Sequence, residues 1–370
     1  MPSSSPAVRR FARLLPALAL LAVLAGCHSA DYPQSTLFPK GDFARIADDV
    51  FFTTVKWAVV VFVLVEGALL FAVLRFRGRP DDAEPPQIHG NTTVEVIWTV
   101  IPAVILAMIA VPTVKAIFKT NEFPGKDALL VEVVGHQWWW EFRYPEYKLT
   151  TANELHVPVG RTVGIRLGSG DVIHSFWVPQ FAAKRDVFPN RETRIWFTAE
   201  EAGEYPGQCA EFCGIQHGRM AFRVVAQPPE EFQRWVAHMQ TLTQPFGAQP
   251  APSDSAARAG RPGPEAQEPG AAPAPPSPLV AQGQKLFLTK GCAGCHSLQA
   301  VNAPKGMLGP NLANVGARTW IAAGTLRNTD ENLAHWIRFP QQVKQGVLMP
   351  TLGVTEDEAK ALVAFLRTHR

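Results

Sequence analysis

The stretch Gly207-Gln208-Cys209-Ala210-Glu211-Phe212-Cys213-Gly214-Ile215-Gln216-His217-Gly218-Arg219-Met220 brings two thiols, an imidazole and a thioether into one short loop. A second imidazole, His174, stands upstream in Asp171-Val172-Ile173-His174-Ser175-Phe176. Thiolate with imidazole and a weak thioether is the donor set that soft copper prefers, because Cys shares charge with the metal while Met adds only a weak axial contact. Two cysteines four apart can bridge two coppers, with His174 and His217 each terminating one. The rival readings are a Cys209–Cys213 disulfide with incidental histidines, and a zinc site, which usually takes tighter cysteine spacing and no methionine.

Around this loop the chain reads as strands: 129–134, 162–167, 194–198 and 221–225 are short, rich in branched residues and separated by Gly, Pro and Asn turns. That pattern predicts an all-β sandwich. The loop resembles the dinuclear CuA centre of cytochrome c oxidase subunit II, whose C-x-E-x-C-x-x-x-H-x-x-M pattern is met at every position. The resemblance implies a cupredoxin fold. Its implied copper ligands are Cys209, Cys213, His174, His217, Met220 and the backbone carbonyl of Glu211.

Two further segments extend the resemblance. Gly135-His136-Gln137-Trp138-Trp139-Trp140 is similar to a G-H-Q-W-x-W segment of the family, which makes Trp138 the residue where electrons arrive near copper. The middle position, more familiar as tyrosine, is Trp139 here, so its hydrogen bonding is open. Side chains alternate across a strand, so at least one of the three indoles belongs at the surface or an interface. Asp186 in Lys184-Arg185-Asp186 and the Glu211 side chain match a magnesium or manganese site shared with subunit I, and hard carboxylate oxygens suit such ions. For Asp171 three readings stay open: support of His174, partner docking, or a plain turn acid.

Toward the N-terminus, Arg9, Arg10 and Arg13 precede an apolar run from Leu14 to Leu24, as in an export signal. Leu24-Ala25-Gly26-Cys27 resembles a bacterial lipoprotein site, with Cys27 lipidated. Residues 57–74 and 96–114 read as membrane spans. Arg75, Arg77 and Arg79 put the loop between them in the cytoplasm, so the rest of the chain lies outside. Pro102 and Pro112 fall within the second span, which membrane helices tolerate when packed against neighbours that satisfy the freed carbonyls. By resemblance, Glu95 in Val94-Glu95-Val96-Ile97-Trp98-Thr99 lies at the mouth of a proton pathway into subunit I; an acid there also suits a helix N-terminus. Glu66, inside the first span, has no motif behind it.

After a predicted helix over 229–239, residues 241–278 form a Pro/Ala/Gly/Ser tract that cannot bury a core. A flexible chain of that length has an end-to-end distance of roughly 35 Å, so the C-terminal domain is expected to meet the copper domain in a mobile encounter. Opposite charge favours that meeting: residues 121–240 hold twelve Lys and Arg against fifteen Asp and Glu, residues 279–370 ten against five. In the tail, Gly291-Cys292-Ala293-Gly294-Cys295-His296 is the C-x-x-C-H signature of covalent haem c, with Cys292 and Cys295 bonded to the porphyrin and His296 the proximal ligand. Met349 is the expected distal ligand, because Met307 follows His296 too closely to cross the haem. Helices are expected near 279–290 and 355–367.

The expected architecture is multidomain. A signal peptide over 1–26 precedes a transmembrane helix hairpin within 27–120, a cupredoxin CuA sandwich over 121–240, a disordered linker over 241–278 and an all-α cytochrome c domain over 279–370. From about residue 35 the chain resembles a caa3-type subunit II. That implies electron transfer from haem c through CuA to subunit I, where oxygen is reduced and protons are pumped. It also implies a bacterial inner membrane location with both redox domains periplasmic, subunit III as a neighbour and a cytochrome c or bc1-type donor; nothing in the sequence signals nucleic acid. A copper-carrying lipoprotein leaves Met220, Glu95 and the haem motif unexplained. A nitrous oxide reductase copper domain does not account for the two spans.

Overall fold

The computed structural model describes residues 34–77, 90–242 and 277–370, with Tyr32 and Gln87. The expected signal segment, Cys27, Arg79 and most of the 241–278 tract lie outside the described residues.

Two long helices come first, α1 (Asp42–Arg75) and α2 (Thr92–Asn121), both long and apolar enough to cross a membrane. At 1.5 Å per residue, the 34 residues of α1 run about 50 Å, well beyond a hydrocarbon core of about 30 Å. The surplus is its N-terminal end, which is protein-bound. Phe43 is buried against Trp196, the Asp42 carboxylate accepts from Thr198 N at 2.7 Å, and Arg45 pairs with Glu200. An apolar window sees only the lipid-facing part, so α1 starts fifteen residues before the sequence-based span. One helix, α2, runs through Pro102 and Pro112, which the span tolerates. Asn91 caps it, its side chain accepting from Thr93 N and Val94 N.

Ten strands make the sandwich: β1 Leu129–His136, β2 Trp139–Tyr144, β3 Leu149–Ala152, β4 Glu154–Pro158, β5 Thr162–Ser169, β6 His174–Trp177, β7 Arg185–Val187, β8 Thr193–Thr198, β9 Gly203–Cys209 and β10 Ala221–Gln227. One sheet has the order β3-β2-β1-β5-β8, the other β4-β10-β9-β6-β7. Pairing is antiparallel except β1 with β5 and β4 with β10. Along β1, Leu129, Val131 and Val133 point inward at every second position, as strand geometry requires. Between the sheets Trp140, Phe142, Phe176 and Phe222 interlock, with Phe176 and Phe222 stacked at 4.8 Å. Helix α3 (Pro229–Thr241) closes one side through Phe232, Val236 and Met239.

The C-terminal domain contains α4 (Pro278–Thr289), α5 (Asp330–Arg338), a short α6 (Pro340–Val343) and α7 (Glu356–Leu366), with only a two-residue ladder between β11 (Trp320–Ile321) and β12 (Leu326–Arg327). Its first and last helices cross at Gly283, where an added Cβ would lie 2.0 Å from the Ala361 carbonyl oxygen. No rotamer can relieve a clash with backbone. Gly283→Ala is therefore expected to pry α4 from α7 and cost this domain about 1–3 kcal/mol, visible as lowered thermal stability of the haem absorbance with the β-sandwich transition unmoved.

The expected mobile encounter is not what the structure holds. The C-terminal domain is seated on the sandwich through backbone pairing as well as side chains: Ala221 N donates to Ala323 O at 3.0 Å, Thr150 N to Ala300 O at 2.9 Å and Asn302 N to Lys148 O at 3.0 Å. Ala300 and Ala313 belong to the sandwich core itself. Linker composition sets what the ends can reach, not whether the surfaces they carry bind each other.

Candidate copper and haem sites

The copper-type donors converge where β6 pairs with β9, opposite the loop to β10. Phe176 lies across from Cys209 in that register, and Ala210 N donates to Ser175 O at 2.9 Å, which clamps the loop to the His174 strand. The Cys209 and Cys213 sulfurs are 3.7 Å apart, far beyond a disulfide bond of about 2 Å. His174 Nδ1 is 3.9 Å from Cys209 Sγ, His217 Nδ1 3.6 Å from Cys213 Sγ, Met220 Sδ 3.7 Å from Cys213 Sγ, and the Glu211 carbonyl 3.2 Å from Cys209 Sγ. The other four expected donors thus surround these two adjacent sulfurs, each imidazole beside its own thiol. His174, Cys209, Cys213 and Met220 are buried. This soft, dry donor set fits a pair of coppers.

The two thiols share a proton. The contact with Cys213, with His174 and the backbone at Ser175 and Glu211 also contributing, draws Cys209 down, and the same contact pushes Cys213 up. The first thiol therefore ionises readily and the second only when a cation replaces the shared proton. Asp171 serves both its own turn, where Oδ1 accepts from Val172 N at 2.6 Å, and His174. Its Oδ1 is 2.8 Å from His174 Nε2 and its Oδ2 accepts from Gln137 N at 2.6 Å, so the carboxylate fixes Nδ1 as the nitrogen facing sulfur. Burial works against its charge, but those hydrogen bonds hold Asp171 below the usual range.

The second site is a cavity of about 420 Å³ lined by Cys292, Cys295, His296 and Met349. The ring Nδ1 of His296 bonds the Pro310 carbonyl at 2.8 Å, leaving Nε2 for a metal, and burial keeps the imidazole neutral. Gly309 lies so close that a Cβ there would come 2.5 Å from His296 Cε1. Arg318, fully buried, lines the same cavity and offers a cation to a ligand carrying carboxylates. Both thiols of the motif are free, and the cavity fits a covalently held porphyrin. Met307 instead lies in a small separate crevice beside Trp139 and Glu141, which leaves Met349 as the distal candidate.

The two sites share a wall. Gln137, Trp138, Trp139 and Asn153 of the sandwich line the haem cavity. Trp138 also reaches the copper loop, its indole Nε1 donating to the Cys213 carbonyl at 3.0 Å. All three indoles are buried, Trp140 in the sandwich and Trp139 against Ala323 of the C-terminal domain, so the expected interface position is filled.

Three docking residues have no sequence signal. Lys344 is 2 % exposed, with Nζ 2.8 Å from Arg219 O and 3.1 Å from Trp138 O. The Glu154 carboxylate accepts from Thr319 N at 2.9 Å, and Glu204 accepts from Trp320 Nε1 at 3.0 Å. Lys and Glu are almost never fully buried unless paired, so the sequence alone places both on the surface.

These buried charges make docking depend on pH. Burial and the Arg219 charge push Lys344 down to about 7 from 10.5. A separated Lys344 keeps its proton up to the ordinary value while the docked one releases it, so docking strengthens as pH rises between those limits and is flat below them. Burial opposes the Glu154 charge, but His156 on its own strand, with Arg318 and Thr319 across the boundary, hold its pKa down, so the stability this carboxylate gives the folded chain is complete above 4.5 and is lost as pH falls through the lowered value. Hydrogen exchange at the Ala221–Ala323 contact is expected to slow from neutral to alkaline pH, after correction for intrinsic exchange, and to quicken in acid.

The remaining predicted site residues stand apart. Glu95 is exposed in the first turn of α2, its Oε1 accepting from Asn91 N at 3.2 Å. Glu211 is exposed on the copper loop and Asp186 half-buried on β7. Among the described residues, neither carboxylate joins a group of three close metal-binding side chains; His174, Cys209 and Cys213 do.

Comparison with known proteins gives three family matches: cytochrome c oxidase subunit II transmembrane domain over residues 42–116, its periplasmic domain over 148–227, and cytochrome c over 280–370. Cytochrome c oxidase subunit 2 of Alkalihalophilus pseudofirmus is 35% identical, covering 96% of both chains. That of Bacillus subtilis is 31% identical, covering 96% of this chain and 97% of its own. The solved periplasmic domain of subunit II of cytochrome oxidase from Bradyrhizobium japonicum is 31% identical, covering 31% of this chain and 95% of that one, with a TM-score of 0.30.

Proposed function

Because this chain belongs to the cytochrome c oxidase subunit II family and carries a fused cytochrome c domain, we propose that it relays electrons from a haem c held by Cys292, Cys295, His296 and Met349 to a dinuclear copper centre held by Cys209, Cys213, His174, His217, Met220 and the Glu211 carbonyl, and onward to subunit I. Haem c and the copper pair supply one-electron redox chemistry when bound. The observation that carries the reading is Trp138, which lines the haem cavity and hydrogen-bonds the Cys213 carbonyl. One rigid side chain thus spans the gap between the two ligand sets, and its burial keeps water from the path. A fixed scaffold also favours speed, since donors pinned by Asp171 and the β6–β9 register need not rearrange when charge changes.

The finer assignments follow from the same reading. The two spans anchor the chain in a bacterial inner membrane with both redox domains on the periplasmic side, and Cys27 is lipidated. Phe212, exposed at the tip of the copper loop, faces subunit I, with Asp186 and Glu211 supplying oxygens to a magnesium or manganese ion at that junction. Glu95 marks proton uptake for oxygen reduction and pumping on the partner. Subunit III and a cytochrome c or bc1-type donor complete the assembly.

Metal and haem content of the full chain in detergent, with visible and electron-spin-resonance spectra, tests the core of this. Two coppers sharing one unpaired electron plus one covalent haem are expected. One copper with an ordinary four-line spectrum, or zinc, would contradict it.

A further inference from the structure

Three consecutive residues of the cytochrome domain, Val343, Lys344 and Gln345, lie on the copper loop. Gln216 Nε2 donates to Gln345 O at 2.6 Å, Arg219 donates to Val343 O, and Lys344 Nζ returns a bond to Arg219 O at 2.8 Å. Arg219 stands next to Met220 and two residues from His217, so this clasp grips the end of the loop that carries two of the copper donors. The same amine donates to Trp138 O at 3.1 Å and to Ala322 O at 3.5 Å. One side chain therefore ties together the copper loop, the wall between the two sites and the cytochrome domain.

A methionine or leucine would fill this space without desolvating a charge, and lysine is almost never fully buried unless paired. The partners of Lys344 are backbone oxygens in place of a carboxylate. An ammonium has three donors and no acceptor, and three carbonyls meet it here, whereas a neutral amine would turn its lone pair on one of them. The neighbour whose negative charge supports the amine is Cys213, acting against burial and the Arg219 cation. A buried cation within reach of that thiolate, where the dielectric is low, favours an added electron at the copper pair. We propose that Lys344 is a positioning residue for haem-to-copper electron transfer, supplied by the cytochrome domain: its ammonium holds Trp138 and the Met220 end of the copper loop in place, and its charge favours the reduced copper pair. Undocking removes that charge, so the copper potential reports the docked state. This inference rests on the reading of Cys209, Cys213 and their neighbours as a dinuclear copper centre.

The test is redox titration of the copper pair in the full-length protein in detergent, at mildly acid pH, below the value of about 7 to which burial lowers Lys344. Lys344→Gln keeps N–H donors for the carbonyls and removes the charge; Lys344→Arg keeps both. Hydrogen exchange at Ala221 N, which bonds Ala323 O across the boundary, reads docking independently. The glutamine variant is expected to keep that protection, to have a lower copper potential than wild type and to hold several-fold less of a shared electron on copper at equilibrium with haem. The arginine variant is expected to restore the wild-type values. A docked glutamine variant with the wild-type potential, or a docked arginine variant as low as the glutamine one, would overturn the assignment of Lys344 alone. Absence of mixed-valence copper from wild type would overturn the copper reading and this inference with it. Should the glutamine variant not dock, wild type with ¹⁵N-labelled lysine decides: an isotope-sensitive ammonium band, missing from Lys344→Arg, is expected in the infrared difference between reduced and oxidised copper, and a spectrum with no such band contradicts the proposal.

Discussion

Cys213→Ser is expected to abolish the dinuclear copper spectrum completely while leaving covalent haem c in place. Cys213 Sγ is the hub of the site, 3.7 Å from Cys209 Sγ, 3.6 Å from His217 Nδ1 and 3.7 Å from Met220 Sδ. A hard hydroxyl in its place does not share charge with soft copper and does not bridge two ions as a thiolate does. The haem cavity takes its ligands from a separate part of the chain, so its absorbance should be unaffected. Copper analysis with electron-spin resonance decides this: a retained mixed-valence signal in the variant would remove the assignment.

Glu154→Ala is the docking counterpart. This buried carboxylate receives Thr319 N, lies 3.7 Å from His156 and faces the Arg318 charge across the domain boundary. Its removal leaves Arg318, which is fully buried, without that counter-charge and leaves the Thr319 N–H without this acceptor. Leaving a buried donor without its hydrogen-bond acceptor typically costs about 1–3 kcal/mol. Docking weakened by that much should become transient, held by the linker alone. Hydrogen exchange at Ala221 should then rise toward that of an open edge, with the copper spectrum unchanged; unaltered protection would mean that Glu154 does not hold the domains together.

Much of this was legible in the chain because the chemistry is local. The two cysteines, His217 and Met220 sit on one loop, and Cys292, Cys295 and His296 on another, so spacing alone selects copper and haem donors. The alternation of β1 and the apolar runs of α1 and α2 are equally local. What spacing could not yield was the relation between domains. Lys344 and Glu154 give no sequence signal for docking because Trp138 O, Arg219 O and Thr319 N, which hold them, are more than a hundred residues away. Asp171 stayed ambiguous for a similar reason: three residues from His174, it could serve a turn or the ligand, and only the fold turns it onto the imidazole.

The central claim is that haem and copper sites face each other across a docked interface walled by Trp138, rather than meeting by diffusion on a tether. Flash photolysis of the full-length protein measures it directly, by following haem oxidation and copper reduction over a range of protein concentration and salt. The account predicts one first-order phase whose rate changes with neither dilution nor ionic strength, and which survives proteolytic cutting between residues 242 and 277. A rate that falls with added salt, as screening removes attraction beyond about 8 Å at physiological ionic strength, or that becomes concentration-dependent once the linker is cut, would contradict it.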